Sequence, residues 1–241
     1  MRHLAAIFGV WLGASLAWGQ DPEPEPRKML SRFLLNELQQ HFDARKKLVA
    51  SLDSPEKIQK RQAELKEKFL QAIGPFPEKN ALNTQVVGKL RGEGFTVEKV
   101  VYESRPNHHV TANFYLPDGK GPFPGVLVPC GHSVNGKAAD AYQRACILMA
   151  QNGLAVLCYD PIGQGERLQL LESDGRPAKG FGSTSEHTLV GVGALLVGQS
   201  TAAYRIWDGI RSMDYLAPRP GVDPKRLGCT GNSGGGPLTA Y

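Results

Sequence analysis

A chain of 241 residues suits one substantial domain with an extension, and a hydrophobic share of 41% with a charged share of 21% is ordinary for a globular protein. The net charge of +5 is mild. Its lysines and arginines are interleaved with acids rather than gathered in a stripe with aromatics, which speaks against a nucleic-acid partner.

Residues 1–19 read as a secretory signal peptide. Arg2 gives a positive start, an apolar run goes from Leu4 to Leu16, and the small residues Ala17 and Gly19 precede a cleavage point before Gln20. The run is short for a membrane span, and no other segment could cross, so export to the periplasm or medium is expected with no stable span after cleavage. Residues 20–83 read as a linker and a helical extension. D-P-E-P-E-P, residues 21–26, is a stiff charged tether. From Met29 the pattern is helical, with Phe33 or Leu34 and then Leu38 on one face. A second helix is expected from Ser54-Pro55-Glu56, where Ser54 suits the cap and Pro55 the first helical position. Its apolar face, Ile58, Leu65, Phe69 and Ile73, is expected to pack on the main domain, and Gly74-Pro75 ends it.

Residues 84–241 form the main domain. Phe95–Ser104 and Val110–Leu116 alternate and read as paired strands. Phe123–Cys130 and Leu154–Tyr159 are continuous apolar runs with a helix-like segment, Ala138–Asn152, between them. A polar, glycine-rich loop runs from Gly163 to about Gly182. A helix over Thr201–Leu216 and a third buried strand, Arg226–Thr230, follow. Buried strands alternating with helices predict an α/β fold, a mostly parallel sheet with helices on both faces. Cys130, Cys158 and Cys229 fall in these strands and Cys146 in a helix. Buried free thiols are the favoured reading, with one bridge left open by the exported setting.

The chain closes on R-L-G-C-T-G-N-S-G-G-G-P-L-T-A-Y, residues 226–241. An apolar strand enters G-N-S-G-G and a helix start leaves it, which is the setting of a nucleophile elbow with Ser233 as the catalytic serine. Gly231 and Gly235 are needed because side chains two places either side of the serine would collide. The N–H of Gly234 is an oxyanion donor at the start of the new helix. A second donor is expected from C-G-H-S-V-N-G-K, residues 130–137, at the backbone of His132 or Ser133. His187 is placed in a loop or lid as an outside candidate for substrate contact, His41 on the N-terminal helix in solvent, and His108-His109 before a strand. No histidine pair has metal-ligand spacing, and neither a metal nor a cofactor is called for.

These motifs carry a resemblance. V-P-C-G-H-S-V-N-G-K, Y-D-P-I-G-Q-G-E, G-N-S-G-G-G and the helix R-I-W-D-G-I-R-S-M-D-Y-L are similar to those of α/β-hydrolases, nearest to secreted acetyl xylan esterase-like and dienelactone-hydrolase-like proteins of bacteria. Asp160 in D-P-I-G-Q-G resembles a structural acid of the loop after the fourth strand. The usual His-Gly of the oxyanion loop stands here as Cys130-Gly131, and Gly234 replaces a residue that is often larger; glucuronoyl esterases carry a different elbow. The resemblance implies a serine hydrolase of carboxylic esters, a carbohydrate deacetylase acting on a small or polysaccharide ester. A prolyl-oligopeptidase-type peptidase shares the elbow and is the enzymatic alternative. In this fold the acid and the histidine follow the serine. Both are therefore expected beyond Tyr241, with three further βα units of about thirty residues each. On that expectation the chain is incomplete at its C-terminus and inactive by itself, which leaves an inactive, hydrolase-fold binding protein as a further alternative.

Overall fold

The computed structural model describes residues 25–241. The expected signal peptide and most of the charged tether lie outside the described residues. Glu25 and Pro26, read as tether, already belong to the first helix, α1 (Glu25–Ala50). Proline is tolerated there because first-turn N–H groups have no helical partner. A second helix, α2 (Pro55–Ile73), begins as its sequence predicts, with the Ser54 hydroxyl accepting from the Lys57 N–H at 3.3 Å. The residues divide into two compact units, one ending at Glu64 and one running from Leu65 to Tyr241, so the boundary falls inside α2. In the first unit Met29, Phe33, Leu34 and Leu38 are exposed.

The second unit is built on one six-stranded sheet. In chain order its elements are β1 (Gln85–Gly92), β2 (Phe95–Arg105), β3 (His108–Pro117), β4 (Phe123–Pro129), α3 (Asp140–Gln151), β5 (Ala155–Tyr159), α4 (Ser183–Leu196), α5 (Thr201–Leu216), β6 (Val222–Cys229) and α6 (Gly235–Ala240). The strand order is β1-β2-β3-β5-β4-β6. Strands β1, β2, β3 and β5 pair antiparallel, whereas β5, β4 and β6 pair parallel. The parallel part is the one followed by helices, because a parallel return needs a crossover.

The strands sort their side chains by alternation. Val100, Tyr102, Phe114, Leu127, Leu157 and Tyr159 face Tyr215 and Leu216 of α5. Val97, Tyr115, Val128, Val156 and Cys158 face Cys146 and Ala150 of α3. Strand β5 is buried throughout, as a two-sided apolar run demands. The end of α2 contributes too: Ile73, with Phe69 and Leu70, packs against Ala203 and Ile206 of α5.

Several sequence expectations need correcting. Among the described residues strand β6 stands last in the sheet and is mostly exposed rather than buried, and Cys229 is exposed with it. The other three cysteines are buried, and all four are free thiols; Cys130 Sγ and Cys158 Sγ lie 3.5 Å apart. Strand β1 and helix α4 were not anticipated. Gly88 breaks the alternation of β1, whose pairing with β2 shifts register beside it. Helix α4 contains Gly191 and Gly193 and has no side-chain cap, so its local signals are weak. Among the described residues no single helix is long and apolar enough to cross a membrane; α4 and α5 pass together only as a pair bent by 103°.

Candidate active site

The parallel strands β4, β5 and β6 deliver three loops to one end of the sheet. Strand β6 runs into Thr230 and then a sharp turn at Ser233. This serine has φ +52°, a left-handed conformation that costs a residue with a Cβ about 1–2 kcal/mol. The turn closes through Gly235 N–H to Asn232 O at 2.9 Å and Gly236 N–H to Ser233 O at 2.8 Å. The predicted need for glycines is met in atoms. A Cβ on Gly231 would lie 2.4 Å from Gly235 O, and one on Gly235 would lie 2.2 Å from Pro129 O. The turn is thus wedged against the end of β4, and Ser233 is held out into solvent.

The loop after β4 lies directly on this turn. A Cβ on Gly131 would meet Asn232 O at 2.3 Å and the Ser233 Cβ at 3.1 Å. His132 and Ser133, the expected donors, follow Gly131 directly in this loop. The Gly131 backbone is clamped on both sides, its N–H by the Tyr142 hydroxyl at 2.5 Å and its carbonyl by the buried Gln164 amide at 2.8 Å. A cavity of about 460 Å³ opens next to it, lined by His132, Ser133, Tyr142, Met149 and Asn232 among others.

The third loop follows β5. Asp160 is fully buried, and its carboxylate is spoken for. It accepts from Thr111 Oγ1 and the Lys137 N–H, both at 2.7 Å, and from the Lys137 ammonium, which also reaches Glu166. Burial alone pushes the Lys137 ammonium down, but Asp160 and Glu166 outweigh it and hold it above its ordinary value. This knot ties the loop after β4 to the loop after β5. A second knot lies alongside. Arg167 donates to Asp208 at 2.8 Å, to the Asp160 carbonyl at 2.9 Å and to His108 at 2.9 Å, and Ser104 donates to Asp208 at 2.5 Å. Burial alone raises the Asp208 carboxyl, yet the Arg167 cation and the Ser104 hydroxyl keep it below its usual range. His108, expected before a strand, is the first residue of β3, where its ring accepts from Arg167 at the margin of this network.

His187 also needs relocating. It lies on α4 rather than in a loop. Its Nε2 is bonded to the Ile162 carbonyl, which can only accept, so this nitrogen carries the proton. Nδ1 is then an acceptor, and it receives the Nε2–H of His132 across 3.1 Å. The remaining nitrogen of His132, Nδ1, faces Gly234: a Cβ there would lie 2.9 Å from it and 3.7 Å from Arg205 Nη2. The His132 ring therefore takes the room that a larger residue after the serine would fill. Burial, and then the Arg205 cation, lower both imidazoles below their ordinary values. Sequence reasoning missed Arg205. It opens the R-I-W-D-G-I-R-S-M-D-Y-L helix, 28 positions before the serine, and only the fold brings it to the elbow. His41 is exposed on α1.

The acetyl xylan esterase (AXE1) family model matches residues 81–240. The chain belongs to that family. Solved structures agree on the fold. The acetyl xylan esterase-family chain is similar to a Bacteroides fragilis protein assigned as an acetyl xylan esterase, with a TM-score of 0.61 and 19% identity over 76% of this chain and 49% of that one. It is similar to a methylesterase, with a TM-score of 0.60 and 23% identity over 80% of this chain and 41% of that one. A third likeness is to acetyl xylan esterase 1 of Thermoanaerobacterium sp., with a TM-score of 0.51 and 18% identity over 72% of this chain and 57% of that one. The fold is that of the α/β-hydrolases, and the chain spans about half the length of these structures. Among curated proteins none matches it.

Proposed function

We propose that this acetyl xylan esterase-family protein is an exported serine hydrolase of carboxylic esters, a carbohydrate deacetylase, with Ser233 as its nucleophile. The observation that carries the reading is the strained turn: a serine at φ +52°, wedged by Gly231 and Gly235 against the end of β4 and presented to solvent. Family membership favours an ester over a peptide bond. In the proposed mechanism Ser233 Oγ attacks the ester carbonyl. The oxyanion is received by the N–H of Gly234 and that of His132 or Ser133, the alcohol leaves, and water releases the acyl group. The acid and the histidine base follow the serine in the chain order of this fold, and we place them beyond Tyr241. Asp160 has no part in proton transfer on this reading, because its oxygens are taken by Lys137 and Thr111. Residues 1–19 act as the export signal.

The test measures hydrolysis of 4-nitrophenyl acetate and acetylated xylo-oligosaccharides by the 241-residue chain and by the chain extended along its reading frame. The chain alone is expected at background. The extended form is expected to be active and to lose at least about a thousandfold in kcat on Ser233→Ala. An extended form that keeps its activity in Ser233→Ala contradicts the nucleophile.

A further inference from the structure

We infer that Gln164 is a positioning residue for ester hydrolysis: its buried amide fixes the Gly131–His132 peptide so that the His132 N–H, rather than that of Ser133, is presented to the oxyanion. The inference rests on the reading of Ser233 as nucleophile, and adds to it which donor serves and what aims it.

The Gly131 carbonyl can only accept, so it is the Gln164 Nε2–H that donates to it, across 2.8 Å. Gly131 O and the His132 N–H belong to one trans peptide, which is planar, with its C=O and N–H pointing opposite ways. Gln164 is fully buried. With the carbonyl held toward it, the N–H is turned away from the interior. The two residues that flank this N–H both lie against the elbow. A Cβ on Gly131 would be 3.1 Å from the Ser233 Cβ, and one on Gly234 would be 2.9 Å from the His132 ring. The preceding peptide is pinned as well, by the Gly131 N–H donating to the Tyr142 hydroxyl at 2.5 Å. A donor fixed in this way needs no reorganisation when charge develops on the substrate oxygen. Accepting a bond at the carbonyl also polarises the N–H of the same peptide and strengthens it as a donor.

Gln164 is itself held rigidly. It stands between Gly163 and Gly165, which take φ +77° and +58°, values that favour glycine. A Cβ on Gly165 would lie 2.3 Å from Asp160 Oδ1. The Gln164 carbonyl accepts from the Arg167 N–H at 2.9 Å, and the Gly165 N–H donates to the Val134 carbonyl at 2.9 Å. The second bond ties this turn to the loop after β4, two residues past His132. The Lys137–Asp160 knot joins the same two loops. The G-Q-G of Y-D-P-I-G-Q-G-E is thus a tight turn that delivers one amide beneath the oxyanion loop. Without that amide the Gly131–His132 peptide is free to turn, and a turned peptide aims a carbonyl oxygen where an oxyanion must sit.

The experiment uses the protein extended past Tyr241 along its reading frame, with 4-nitrophenyl acetate as substrate and phenylboronic acid as a probe that forms a tetrahedral anionic adduct on a catalytic serine. A crystal structure of the adduct is expected to place one boronate oxygen within about 3.2 Å of both the His132 and the Gly234 backbone nitrogens. Gln164→Met keeps the volume and removes the donor; Gln164→Asn keeps the amide one methylene short of the Gly131 carbonyl. In each folded variant kcat and boronate affinity are expected to fall together by about tenfold or more, with KM changed by less than about twofold. A merely structural glutamine would lower the melting temperature without that paired loss. A boronate oxygen bound to the Ser133 nitrogen instead, or folded variants whose kcat and boronate affinity stay within about twofold of the parent, overturns the inference. The adduct structure requires no variant to fold. A boronate adduct on Ser233 with turnover insensitive to Gln164 removes the positioning role alone, whereas hydrolysis that survives Ser233→Ala removes the reading beneath it.

Discussion

Arg167 and Arg205 serve the same end of the same sheet and are treated in opposite ways. Arg167 is buried and saturated, joined to Asp208, the Asp160 carbonyl and His108. Arg205 lowers the proton affinity of two histidines beside the elbow, and its Nε and Nη2 are shielded from solvent with no hydrogen-bond partner among the described residues. The difference is one of partners supplied by the described residues. Where a charge holds loops in place, the fold surrounds it with partners. Beside the Ser233 turn it leaves two guanidinium nitrogens without partners, and local stability is lower for it.

The comparison is broken most severely by attacking the saturated side. Asp208→Ala leaves the buried Arg167 without its carboxylate, and a loss of about 3–5 kcal/mol in chemical denaturation is expected. A loss below about 1 kcal/mol would mean that the network is ornamental. Lys137→Met is next. It strips Asp160 of its ammonium but leaves Thr111 and the Lys137 N–H in place, so about 2–3 kcal/mol is expected, read as a shift of the urea midpoint at constant slope. On the unfinished side the sign changes. Arg205→Met removes an unpartnered cation, and thermal melting is expected to show a stability unchanged or raised by up to about 1 kcal/mol. A loss as large as that of Asp208→Ala would erase the contrast.

The smallest effect is a pH dependence. His132 and His187 have folded values below their unfolded one, so the unfolded chain binds more protons in the window just under the ordinary histidine value of about 6.5. Their contribution to stability is complete above that value and is lost as pH falls through the window toward the folded values. A melting temperature lower by about 2–4 °C at pH 5.5 than at pH 7.5 is expected, with a shallower dependence in Arg205→Gln, which removes part of the cause. An identical dependence in that variant would separate Arg205 from the two imidazoles.

Much of this was legible in the sequence. The helix expected over roughly Thr201–Leu216 runs over those residues, and the structure adds the Ser200 hydroxyl accepting from the Ala202 N–H at its start. The two-sided apolar runs of β4 and β5 announced a buried parallel pair. The elbow was legible because a strained turn restricts residue types so tightly that glycines at 231 and 235 become a signature. What escaped has a common cause. Helix α4 and strand β1 lack strong local signals and are held by their neighbours. The place of Arg205 and the partners of His187 arise from contacts between segments far apart in the chain.

The central claim, that Ser233 is the nucleophile of an esterase, is tested most directly by one assay: hydrolysis of 4-nitrophenyl acetate by the protein extended past Tyr241 along its reading frame, with Ser233 and with Ser233→Ala. The account predicts turnover that falls at least about a thousandfold with the alanine while the fold is retained. Turnover that is undiminished by the substitution would contradict it.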